Sequence, residues 1–184
     1  MWLDNVKQVV GNDLAVNWRY FSLEQINSKE GPNWKIWEQP EEFPSRTRLA
    51  FRAASAARQQ GSAAFERFHM ALLRLRHEER CEVAQVDTLL EAARQAGLDL
   101  AQFQSGLSNP ALDAELARDH TTAVEQYGVF GTPTFVFANG HAAYLKMRPT
   151  APSDQVMEMW ETFKRVVAER PYVEEIKRPS PPRK

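Results

Sequence analysis

The chain has 184 residues, of which 43% are hydrophobic and 26% charged, with a formal net charge of −1. That composition belongs to one globular domain with a sizeable core and room for an insertion. It gives no electrostatic reason to expect nucleic acid or an anionic membrane as partner, and no run approaches the ~20 apolar residues of a bilayer span. The first residues carry charges at Asp4 and Lys7 and lack the basic start and unbroken apolar run of a secretory leader. A single cysteine, Cys81, cannot close an internal disulfide, so the chain is expected in the reducing cytoplasm.

In chain order, Trp2, Val6, Val9 and Val10 recur at helical spacing, and Gly11-Asn12-Asp13 closes that helix. Residues 14–21 are aromatic and β-branched and predict a strand. Residues 22–43 read as loop, with Gly31, Pro32 and Pro40 as breakers. Trp34 and Trp37 inside it are expected to pin the loop by burying area, in preference to forming a ligand platform. A helix is predicted from Pro44 or Ser45 to Gly61, and a second with Ser62 as its N-cap. A third covers residues 86–96 with Asp87 as cap, a fourth 100–107, and a fifth runs from Asn109-Pro110 to Tyr127. Thr134 to Phe137 predicts a strand, Ala138-Asn139-Gly140 a hairpin turn, and residues 141–147 the returning strand. Pro149 and Pro152 break the chain. Ser153 or Asp154 then caps a closing helix through Val156, Trp160 and Phe163, which Pro171 ends. The remaining residues are too rich in proline and charge to pack.

The most informative stretch is Tyr127-Gly128-Val129-Phe130-Gly131-Thr132-Pro133-Thr134-Phe135-Val136-Phe137. A proline directly before a strand, with glycine two residues ahead, suits a tight turn and an X–Pro bond able to be cis. The stretch resembles the cis-proline loop of DsbA-type proteins, and residues 18–27 resemble the second strand and turn of the FrnE-like and 2-hydroxychromene-2-carboxylate isomerase-like branch. The resemblance covers residues 2–171. It implies an α/β, thioredoxin-like fold with an all-helical insertion: a thioredoxin-like domain over 1–43 and 128–171, the insertion over 44–127, and a disordered tail over 172–184. It also implies thiol–disulfide oxidoreduction on protein or small-molecule thiol or disulfide substrates. Thr132 would offer its backbone to substrate beside Pro133 and Gly131, with Tyr20 and Phe21 lining the groove.

In active relatives a Cys-x-x-Cys or Cys-Pro motif sits at the start of the first helix, where the helix N-terminus favours the thiolate. Neither that motif nor the first, central strand lies in this sequence, which begins inside the helix. The expectation is that the true start lies further upstream, or that another chain supplies the strand. No catalytic residue is identifiable here, and without a nucleophilic sulfur and its partner disulfide exchange cannot proceed. Two alternatives stand beside it: a glutathione-dependent isomerase of the hydroxychromene type, and a non-catalytic peptide-binding module using the same groove. A homodimer is a candidate assembly. No metal is expected: His77 and Cys81, four apart on a helix, would be only two ligands. Asp119-His120 are helix neighbours expected to point apart, and no cofactor other than glutathione is implied.

Overall fold

The computed structural model describes residues 2–148 and 150–178. Pro149 and the last part of the expected tail lie outside the described residues. The chain forms two compact units, Met1–Trp18 with Gln126–Lys184, and Arg19–Glu125.

In the first unit, α1 (Trp2–Val10) packs with α8 (Val156–Glu169) and a hairpin of β1 (Thr134–Val136) and β2 (Ala142–Tyr144). The strands are antiparallel, with Thr134 opposite Tyr144, Phe135 opposite Ala143 and Val136 opposite Ala142. Both helices are amphipathic, and Trp2, Val6, Val156, Trp160 and Phe163 meet in one core, with Phe135 and Phe137 packed against it. Trp2 is its hub: its ring lies 6.1 Å from Phe135, 6.1 Å from Trp160 and 6.2 Å from Phe163. Each such aromatic adds about 1.5–3 kcal/mol by burial.

The second unit is helical: α2 (Leu23–Ile26), α3 (Arg48–Gln59), α4 (Ser62–His77), α5 (Val86–Gln95), α6 (Leu100–Leu107) and α7 (Asp113–Tyr127). Fully buried Phe68 and Phe103 pack with tilted rings 5.3 Å apart at its centre, with Leu89 and Leu116. The alanine stripe Ala53, Ala56, Ala57 on α3 is buried and lets neighbouring helices approach closely. The tightest approach is at Gly106 of α6, where an added Cβ would lie 2.4 Å from Ala56 Cβ. Arg48 and Arg52 of α3 are buried around Asp113. Arg48 Nε and Arg52 Nη2 each donate to Asp113 Oδ2 at 2.7 Å, while Arg52 also reaches the Leu107 carbonyl at 3.1 Å. Arg48 Nη1 donates to the carbonyls of Gln39 and Pro40 at 2.8 and 3.1 Å. Glu41 closes the knot on both arginines.

Several expectations are corrected. Residues 14–21 form no strand. Their burial alternates along residues 14–20 as a strand's would, but among the described residues no strand lies alongside to complete a ladder. The stretch 22–43 is not plain loop. It holds α2, capped by Ser22 Oγ accepting from Gln25 N at 3.0 Å, and a 3-10 turn at Ile36–Glu38. Helix α3 opens at Arg48, because Ser45 Oγ accepts from Arg48 N at 3.0 Å and holds the preceding turn outside the helix. The caps of α4 and α5 are Gly61 and Gln85, with Ser62 already helical and Asp87 in the first turn. Asn109 caps a 3-10 turn, Pro110–Leu112, before α7 begins. A similar turn, Ser153–Gln155, precedes α8, so Gln155 rather than Ser153 or Asp154 holds its cap position. The returning strand is shorter than residues 141–147. Residues 172–178 carry no helix or strand beyond the turn at Pro171 and Tyr172.

Gly106→Ala should lower stability by about 1–3 kcal/mol, the usual cost of overpacking a close helix contact. A urea midpoint unchanged from wild type would show that α3 and α6 separate freely.

Candidate functional site

In the first unit, the Gly131-Thr132-Pro133-Thr134 loop enters β1. The Thr132–Pro133 peptide bond is cis. Gly131 is buried beneath Tyr144, where an added Cβ would come within 3.3 Å of the ring and press on it by a few tenths of an ångström. Thr134 Oγ1 donates to the Gly131 carbonyl at 2.7 Å, and Leu145 N donates to the Pro133 carbonyl at 3.1 Å. Phe137 N bonds the His141 carbonyl at 2.9 Å. Residues 133, 135 and 137 therefore face β2, and by the alternation of an antiparallel ladder Thr134 and Val136 turn their main-chain groups outward. Thr132 and Pro133 are exposed. Among the described residues nothing bonds the Thr132 N–H or C=O. Phe130 is 67% exposed, with its ring 5.3 Å from Tyr144. The loop thus presents unsatisfied peptide groups beside an aromatic pair.

Tyr20 and Phe21 lie in the second unit, and both are buried. The Tyr20 ring packs 5.6 Å from Phe51 and beneath the Arg58 guanidinium, 4.7 Å from the ring centroid. Burial pushes its hydroxyl up to about 12. Phe21 stacks on His120 at 4.6 Å. These side chains serve the unit's interior and expose little surface to a substrate.

Two residues set aside by the sequence reading hold this segment. Asp119 Oδ2 accepts from Tyr20 N at 3.0 Å and Asp119 Oδ1 from Arg19 Nη1 at 3.2 Å. His120 Nδ1 accepts from Ser22 N at 3.1 Å. Although adjacent on α7, they do not serve separate surfaces, because they reach alternate residues of one extended segment. With Nδ1 an acceptor, neutral His120 carries its proton on Nε2. Burial, with Lys35 adding to it, holds the imidazole below its ordinary range. Trp37 packs 5.4 Å from the same ring, and Gln25 clasps its loop by accepting from Ile36 N at 2.8 Å and donating to the Trp34 carbonyl at 2.9 Å.

His77 is the last residue of α4, and Cys81 lies beyond the helix, folded back so that Cys81 N donates to the Leu75 carbonyl at 2.9 Å. The two share no helix face. Among the described residues no three His, Cys, Asp or Glu side chains group as a metal site, and no helix is long and apolar enough to cross a membrane.

A two-strand hairpin with the proline loop at its entry, flanked by α1 and α8, and a separate helical unit between them in sequence define a thioredoxin-type domain carrying a helical insertion. The chain belongs to the DSBA-like thioredoxin domain family, whose model matches residues 3–159. It is similar to the uncharacterized protein Rv2286c of Mycobacterium tuberculosis, 24% identical over 185 residues, which span 99% of this chain and 76% of that protein.

Burial, helped by the Arg58 charge, pushes His69 down to about 4. A folded-state value below the unfolded one means that, on acidification, the unfolded chain takes up protons which the native state refuses. Stability present near neutrality should therefore fall between about pH 6.5 and about pH 4, by about 3 kcal/mol for His69, with His120 adding in the same direction. Urea titrations across that range should show the loss, and His69→Leu should flatten it.

Proposed function

We propose that this chain docks an extended polypeptide segment along Thr132, Thr134 and Val136, as the substrate-binding part of a thiol–disulfide exchange protein. The observation that carries the reading is the open main-chain edge: Thr132 has exposed and unbonded peptide groups, and the next two outward-facing residues continue the row. An extended chain adds to such an edge by the same bonds that join strands, while its alternate side chains meet neighbouring surface. Phe130 and Tyr144 supply that surface here.

Exchange itself needs a nucleophilic thiolate and a resolving sulfur. The 184 residues contain one cysteine, Cys81, which follows α4 and lies in the other unit from the proline loop. These residues alone are therefore a binding module for protein or small-molecule thiols and disulfides, with redox turnover dependent on cysteines they do not contain. An unpaired cysteine suits a reducing, cytoplasmic setting.

The test uses carboxymethylated insulin B chain as an extended probe, followed by titration calorimetry. Peptide variants N-methylated at successive positions should lose affinity at every second position, by about 1 kcal/mol or more per bond removed, and keep it at the others. Insensitivity to the position of methylation would remove main-chain docking. Dithiothreitol-driven insulin reduction should stay at the background rate; turnover that survives Cys81→Ser would contradict the binding-module reading. Saturable glutathione binding that displaces the peptide would favour the isomerase alternative.

A further inference from the structure

In the second unit a cavity of about 380 Å³ lies between α3 and the 3-10 turn leading into α7, lined by Ser55, Arg58, Gln59, Leu112, Glu115 and Arg118. Residues 55, 58 and 59 are one face of α3, and 112, 115 and 118 follow at the helical spacing of the opposite wall. Facing stripes of packed helices are ordinarily apolar, and these are mostly polar. Their wiring is specific. Ser55 Oγ donates to Glu115 Oε2 at 2.7 Å, Arg58 pairs with Glu115, and the Arg58 guanidinium is fixed over the rings of Tyr20 and Phe65, at 4.7 and 4.3 Å from their centroids. The Tyr20 hydroxyl is buried beside Ser55, behind these side chains. Arg118 is exposed and among the described residues forms no ion pair. Two arginines against one glutamate leave a single positive charge, and it resides on Arg118.

We propose that this cavity binds a small organic monocarboxylate bearing a hydroxyl or keto group. The free guanidinium fork of Arg118 matches a carboxylate bidentately, and one uncompensated charge matches one carboxylate better than a phosphate dianion set beside Glu115. The Gln59 amide supplies a neutral donor and acceptor for the oxygen on the neighbouring carbon, the Ser55 hydroxyl oxygen a further acceptor, and Leu112 an apolar wall. The volume equals that of about a dozen water molecules at ~30 Å³ each, which fits an acid of that size. The inference is independent of peptide docking at Thr132, which lies in the other unit.

The probe is 4-methyl-2-oxopentanoate, titrated calorimetrically into the full chain. Saturable binding is expected, with the corresponding amide at least about tenfold weaker, equivalent to about 1.4 kcal/mol. Arg118→Gln, a surface change checked by its circular dichroism and urea midpoint, should weaken the acid by a similar factor and leave the insulin-peptide affinity unchanged. Absence of saturable binding to wild type, equal affinity for the amide, indifference to Arg118→Gln, or equal displacement by inorganic phosphate would each overturn the assignment.

Discussion

The amides of Tyr20 and Ser22 have side chains, not a neighbouring strand, as their hydrogen-bond acceptors, and the local architecture follows from that. An extended, half-buried segment must place its main-chain groups somewhere, since a buried N–H without a partner costs about as much as a lost hydrogen bond. Asp119 and His120 provide the acceptors from α7. Residues 19–22 are thereby held against the helical unit, and the aromatic side chains of Tyr20 and Phe21 are committed to its interior. Arg19 completes the Asp119 interaction from the solvent side.

A second polar assembly does comparable work deeper in the same unit. Arg48 and Arg52, one helical turn apart on α3, converge on Asp113 and spend their remaining donors on the carbonyls of Gln39, Pro40 and Leu107. The irregular segment at residues 39–40 and the C-terminal end of α6 are thus anchored by two guanidinium forks, whose planar geometry suits several acceptors at once. Burying these charges is tolerable only because each is paired and hydrogen-bonded.

What the sequence disclosed, and what it withheld, follows from the kind of information each feature carries. The amphipathic stripes of α1 and α8 and the apolar repeat of α4 gave correct helices because burial periodicity is local. The motif at residues 128–137 located the loop and hairpin because glycine, proline and a β-branched run are themselves conformational constraints. Residues 14–21 misled for an instructive reason: alternation reports which side chains are covered, and it is real at Leu14, Val16 and Trp18, but it says nothing of whether another strand lies alongside. The arginine knot was illegible because Arg48, Arg52 and Asp113 are separated by tens of residues, and singly each reads as surface. Asp119 and His120 failed for the complementary reason. Their helical geometry was correctly judged divergent, and only the extended segment crossing α7 lets two diverging side chains meet one strip of backbone. Of the residues expected in the groove, Gly131, Thr132 and Pro133 lie together on an accessible loop, whereas Tyr20 and Phe21 are interior.

The brevity of β1 sets a rule of its own. Three residues rising about 3.3 Å each, preceded by a loop that cannot extend the ladder toward β2 past Pro133, would give the proposed incoming chain a track of only about 13 Å from Thr132 to Val136. Under the docking proposed above, a visitor would be read in steps of two residues with few steps available, so discrimination would come from side chains near one end, at Phe130 and Tyr144. The same shortness guards against self-templating, because a three-residue edge cannot propagate the long continuous pairing on which fibrous stacking depends.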